Sequence, residues 1–107
     1  MQQTKFLSTL GLARRAGKLN YGFDMVTEGL DTAQLIFLTA DVSARTRNSV
    51  MQLAARKGVT CYDLPLSMAE ISVAIGTKPV GIVSITEEGF AALLLAERKK
   101  MIGGKPL

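Results

Sequence analysis

An α/β sandwich, with helices on both faces of a small sheet, is the fold that this sequence predicts. Three observations lead to it. Segments with helical periodicity alternate with short strand-like runs along the whole chain. Three of those runs, "QLIFLTA", "VTCYDL" and "VGIVSI", are rich in the apolar and β-branched residues of core strands. The 107 residues contain no internal repeat, low-complexity segment or linker, so one domain over residues 1–107 is expected, burying roughly two thirds of its unfolded surface.

Residues 4 to 16 set Phe6, Leu10 and Ala13 on one stripe with Leu7 at its edge, the period of a helix that Gly17 stops. On that wheel Arg14 flanks the buried stripe and Arg15 points away. Lys18 to Tyr21 fits a short strand. A second helix is expected from Gly22 to Leu30, with Phe23, Val26 and Leu30 inward and Asp24 near its positive end. Asp24, Met25 and Glu28 then fall off the core face. "QLIFLTA", residues 34 to 40, reads as a strand covered on both sides. Ser43 is placed to cap the next helix, which turns Val50, Leu53 and Ala54 inward and ends at Gly58. "VTCYDL" is the following strand. Beyond Pro65, Ser67 and Glu70 have capping-box spacing, which opens a short helix to Ile75. "VGIVSI", residues 80 to 85, is the last core strand, and "TEEGFAALLLAERKK" is the last helix, with Thr86 as its expected cap.

Composition narrows the chemistry. The chain has no histidine, which removes the usual general base, the commonest zinc ligand and the His-dependent triads. No catalytic residue, metal site or cofactor is predicted. The lone cysteine, Cys61, has no partner for an internal disulfide and lies in an expected inner strand, where it reads as a small hydrophobe. No apolar run approaches the roughly 20 residues of a membrane span. The start carries its basic residues after its apolar part, the reverse of a signal peptide. A cytoplasmic protein with no membrane partner is the expectation.

Thirteen Lys and Arg against nine Asp and Glu give a formal charge of +4, a mild pointer to nucleic acid. Their distribution says more. Lys5, Arg14, Arg15 and Lys18 all precede the first acid, Asp24. "LGLARRAGKLNYGFD" therefore admits two compatible readings. Its cations favour the negative end of a helix dipole, by about 0.3 to 1 kcal/mol each. They also lie close in sequence to Gly22, just before a helix start whose N–H groups favour phosphate. The second basic group, Arg98, Lys99 and Lys100 followed by Gly103, Gly104 and then Lys105, reads as an ordinary frayed helix end. Ser43, Ser67 and Thr86 are better explained as caps than as nucleophiles. Asp41 and Ser43 would stand at the carboxyl end of a strand, where α/β ligands often sit, but capping accounts for Ser43 with fewer assumptions. No P-loop pattern occurs. With no Trp, two Tyr and four Phe, there is no aromatic platform for single strands. Any RNA should be read by shape, backbone and a few base edges.

"LGLARRAGKLNYGFDMV", "LIFLTADVS" and "ISVAIGTKPVGIVSITEEGFAALL" together resemble the superfamily of the L-seven-Ae and L-thirty-e ribosomal proteins, and its bacterial YlxQ-type members more closely. The resemblance covers roughly residues 4 to 96. It implies a three-layer α-β-α sandwich with a small four-stranded mixed sheet. It also implies binding of kink-turns and related internal loops through the start of the second helix and the loop before the last strand. The helix-start motif of the kink-turn binders, Gly-x-Asn-Glu-x-x-Lys, falls on Gly22 to Glu28. The glycine matches, while Asp24, Met25 and Glu28 replace the Asn, Glu and Lys. Met25 cannot accept from a guanine edge and Glu28 sets like charge near phosphate. Losing one such base contact costs on the order of 1 to 3 kcal/mol. In the second region Ile71 to Gly76 stand where Leu-Gly-x-Ala-x-Gly is usual, and Thr77, Lys78 and Pro79 form the loop beyond.

The expected function is therefore non-enzymatic binding of structured RNA, with the ribosome or translation-related proteins as further partners, by a monomer or weak dimer. By the resemblance, the RNA-binding residues are Arg14, Arg15, Lys18, Asn20, Gly22, Phe23, Asp24, Met25, Glu28, Ile75, Gly76, Thr77 and Lys78. Arg14, Arg15 and Lys18 would contact phosphate beside Gly22. The alternative is a protein-interaction module on the same fold, in which Tyr21, Met25 and neighbouring apolar residues meet a protein or a second copy.

Overall fold

The computed structural model describes residues 2–107. In chain order the elements are α1 (Gln2–Arg15), β1 (Leu19–Tyr21), α2 (Phe23–Glu28), a 3-10 turn (Leu30–Thr32), β2 (Leu35–Leu38), α3 (Ala44–Lys57), β3 (Cys61–Asp63), α4 (Met68–Ile75), β4 (Ile82–Ile85) and α5 (Glu88–Ile102). The sheet runs β1-β4-β2-β3. Strand β4 is antiparallel to both β1 and β2, and β2 is parallel to β3, which makes the sheet mixed.

Side-chain alternation on the two central strands divides the core. Leu35, Phe37, Val83 and Ile85 face α1, α4 and α5, where Phe6, Leu10, Ile71 and Leu94 meet them. Ile36, Leu38 and Ile82 face α2 and α3, where Val26, Val50 and Ala54 close the other layer. Both faces of β2 and β4 are thus covered, which is why these strands read as continuous apolar runs. Phe6 meets Phe37 edge to face, with centroids 5.4 Å apart.

The caps explain most of the boundaries. Ser43 accepts from the Thr46 N–H, and Gly58 closes α3 in the left-handed region at φ 70°. Ser67 and Glu70 form a reciprocal capping box, and Gly76 at φ 74° ends α4. Two expectations are corrected. Thr86 does not cap α5; Glu87 does, accepting from the Gly89 and Phe90 N–H groups. Its two carboxylate oxygens serve two donors, more than one hydroxyl can. Phe23 is not turned into the core but is 41% exposed. Gly22 makes the last rung with Ile82, so α2 begins past the end of the sheet, where no core remains to receive Phe23.

The C-terminal region also differs from a frayed end. Arg98 is 2% exposed, and its Nη2 donates to Asp63 Oδ1 at 2.7 Å. Sequence reading had no way to see this partner, which arrives from a strand 35 residues away. Among the described residues, no helix is long and apolar enough to cross a membrane.

Candidate functional site

One end of the sheet gathers three chain segments around a cleft of about 360 Å³. The start of α2 supplies Gly22 and Phe23, the β2–α3 loop supplies Asp41 to Ser43, and the α4–β4 loop supplies Pro79 to Gly81. Met68, at the start of α4, closes the side.

Each wall has a local cause. Gly22 holds φ 84° and ψ 160°, a backbone region essentially confined to glycine, and from there its N–H donates to Ile82 O at 2.9 Å. That turn converts β1 into α2 within one residue. The first turn of α2 has no side-chain cap, so its N–H groups face outward unsatisfied by a side chain. Opposite, Gly76 releases the chain from α4, and the loop re-enters the sheet where the Thr39 N–H donates to Gly81 O at 3.0 Å. A Cβ on Gly81 would stand 2.9 Å from Val42 Cγ2, so only a hydrogen lets the two loops approach this closely. Asp41 Oδ1 accepts from the Met68 N–H at 2.9 Å, which ties the β2–α3 loop to α4 and leaves its other oxygen available. Thr39 Oγ1 is buried with no partner, 3.3 Å from that Gly81 Cβ position.

The sequence-predicted residues separate into those brought to this end and those kept away. Gly22 and Phe23 line the cleft, and Asp24, Met25 and Glu28 are exposed on the helix that leaves it. Gly76, Thr77 and Lys78 belong to the facing loop, with Lys78 exposed. Arg14 reaches toward this end along β1: its guanidinium lies 5.2 Å from the Tyr21 ring centroid, with Nη2 3.5 Å from the Tyr21 hydroxyl.

The remainder sit elsewhere. Lys18 lies at the opposite end of the β1–β4 ladder, where its carbonyl accepts from the Thr86 N–H. Glu87 is near enough there for the Lys18 charge to help hold its carboxyl below the ordinary range, behind the stronger effects of the Phe90 and Gly89 N–H bonds. Arg15 borders a groove between α1 and α4. Asn20 turns to the α2 face, where its amide nitrogen stands 2.6 Å from the position of a Gly29 Cβ. Ile75 is 4% exposed and belongs to the core. The basic stretch of residues 14 to 18 is therefore dispersed by the strand that follows it, and Arg14 is its member beside Tyr21.

Thr46, Met68 and Val42 also line the cleft and had no sequence signal. Asp41 and Ser43 had one, their place at the carboxyl end of β2. No group of three or more His, Cys, Asp or Glu suited to a metal occurs among the described residues. The arrangement is a binding geometry, with apolar walls, unpaired acceptors and backbone donors around a concavity.

These features define a class: a three-layer α-β-α sandwich on a mixed four-stranded sheet, with a helix start and a glycine-bounded loop facing each other at one end. The chain belongs to the ribosomal protein L7Ae/L30e/S12e/Gadd45 family, whose model matches residues 4–95. A solved structure of a protein of unknown function from Bacillus halodurans C superposes with a TM-score of 0.80 at 24% identity, covering 89% of this chain and 97% of that one. The Giardia lamblia 15.5kD RNA binding protein superposes with a TM-score of 0.73 at 14% identity, covering 94% and 90% respectively. No curated protein matches the chain at a significant level.

Proposed function

We propose that residues 1–107 act as one RNA-binding domain that recognises structured, kink-turn-like or internal-loop RNA at the cleft between α2 and the α4–β4 loop. The observation that carries this reading is the convergence of Gly22–Phe23 and Pro79–Gly81 on one concavity. These are the two segments through which the family resemblance implies RNA contact. The fold shared with the Giardia RNA-binding protein supports it.

Mechanistically, phosphate is attracted by Lys78, Arg14 and the uncapped start of α2. An unstacked base then enters between Phe23 and Pro79. Asp41, Ser43 and Thr46 offer hydrogen-bonding atoms to its edge. Acids at Asp24 and Glu28 keep phosphate off the outer face of α2, so the RNA backbone runs on the Lys78 side. Membership of a ribosomal-protein family supports a ribosomal partner, and in this reading the protein acts by binding rather than by catalysis.

The test is binding to a kink-turn RNA, a straight duplex and ribosomal RNA by the unmodified chain and by Phe23→Ser/Lys78→Gln. A preference for the kink-turn, reduced about tenfold or more in the variant, is expected. Equal binding to the straight duplex would overturn the reading. A protein-interaction role is favoured by a different feature, the groove of about 570 Å³ between α1 and α4. There Leu12 and Val73 are 51% and 83% exposed. Concentration-dependent dimerisation lost in Val73→Lys would support it.

A further inference from the structure

A second cleft, of about 510 Å³, opens on the other side of the β2–α3 loop. Thr39 and Ala40 line it, just as Asp41 and Val42 line the first, so one loop is the wall between the two. Arg47 from α3, the end of β3 at Asp63, Arg98 and Lys105 complete the rim.

Arg98 is buried and engaged within the protein through all three of its guanidinium nitrogens. Its Nε donates to Asp63 O at 2.7 Å, its Nη2 to Asp63 Oδ1 at 2.7 Å and its Nη1 to Gly103 O at 2.9 Å. Its guanidinium also stacks over Tyr62 at 5.1 Å. Two consequences follow. The charge of Asp63 is compensated in place, so the one acid on the rim does not neutralise the other cations. The tail is fastened at Gly103, and again at Leu107, whose N–H donates to Cys61 O at 2.8 Å. Lys105 lies between those two anchors and is carried to the cleft by them.

Among the described residues, neither Arg47 nor Lys105 takes part in an ion pair. Two unpaired cations thus converge on one concavity beside the proposed base cleft, an arrangement that an anion would relieve. A planar guanidinium opposite an ammonium suits the oxygens of a phosphodiester.

We propose that this second cleft holds a backbone phosphate of the bound RNA, contacted by Arg47 and Lys105. The proposal rests on the RNA reading of the first cleft and extends the interface across the β2–α3 loop. Arg98 is a positioning residue: it sets the tail and so sets Lys105.

The experiment is a salt titration of kink-turn RNA binding by the unmodified chain, by R47Q/K105Q, and by K5Q/R56Q, which removes the same charge at exposed positions outside the cleft. Removing two phosphate contacts should flatten the slope of log K against log salt by roughly 1.5 to 2 and weaken binding on the order of tenfold. Preference among kink-turn sequences should be unchanged, because phosphate carries no sequence information. All three proteins should melt at the same temperature. A slope equal to that of the unmodified chain overturns the proposal, as does an equal flattening in K5Q/R56Q. If Phe23→Ser/Lys78→Gln loses binding while R47Q/K105Q does not, the first cleft stands and the phosphate site falls. If the unmodified chain binds no RNA, both fall.

Discussion

Met25 and Glu28 show how single side chains set the limits of this interface. Both lie on the exposed side of α2, so neither is held by packing and each acts through what it offers to solvent or ligand. Met25 presents a thioether where the kink-turn motif carries a carboxylate, and Glu28 presents a negative charge where that motif carries a cation. Met25→Glu/Glu28→Lys should therefore raise kink-turn affinity by about 1 to 3 kcal/mol, with little change toward a straight duplex. Isothermal titration against both RNAs checks this; an unchanged kink-turn affinity would show that α2 does not reach the base edges. The opposite case is Phe23, whose residue type suggested core and whose position at the first turn of α2 makes it cleft wall. A helix wheel gives the angle of a side chain but not whether a neighbouring layer extends that far.

Elements are joined here by contacts that a single side chain decides. A Cβ on Gly11 would stand 2.8 Å from Ala74 O, so α1 and α4 approach backbone to backbone at that point. Ala is a better helix former than Gly by about 1 kcal/mol, yet Gly11→Ala should lower stability by about 1 to 3 kcal/mol, since a backbone carbonyl cannot rotate aside. Urea unfolding measures it. A net gain would mean that α1 and α4 separate freely.

The cap of α5 gives a pH signature. Hydrogen bonds from the Phe90 and Gly89 N–H groups, and then the charge of Lys18, hold the Glu87 carboxyl below its ordinary value of 4.5. A depressed folded-state value means a contribution fully present above that ordinary value and lost as pH falls through the folded one. The stability difference between the unmodified chain and Glu87→Ala should thus be constant near neutrality, shrink as pH falls below 4.5, and close once the folded carboxyl is protonated. A difference that persists undiminished in acid would refute the role of the charged form. Sequence placed this cap one residue early because Thr is a common cap and Glu is not.

At the scale of the molecule, the sheet separates two cores, and β2 holds both. Phe37 is fully buried on the α1, α4 and α5 side, with the Tyr62 ring centroid 6.1 Å away as well as Phe6. Phe37→Ala should cost about 3 to 5 kcal/mol, a large share of the roughly 5 to 15 kcal/mol typical of a folded domain. Its thermal midpoint should fall well below that of Gly11→Ala; a smaller fall would place the stability elsewhere than in the central strand.

Local chemistry was legible in the sequence wherever it acts over a few residues. Continuous apolar runs marked β2 and β4, the Ser67 and Glu70 pair marked the start of α4, and Gly17 and Gly58 marked helix ends that adopt positive φ. The motifs at Gly22 and at Ile71 to Gly76 were visible as a family resemblance before any geometry. What only the tertiary structure decided is which of these features meet. The β1–β4 pairing sends Lys18 away from Gly22, and Asp63 reaches Arg98 and turns an apparently frayed end into an anchored tail. Phe23, Asp41, Met68 and Pro79 come to one cleft from four separate parts of the chain. Periodicity and capping depend on neighbours within a turn, and a sequence carries them whole. Convergence depends on strand order and on how helix layers close over the sheet, which no local pattern encodes.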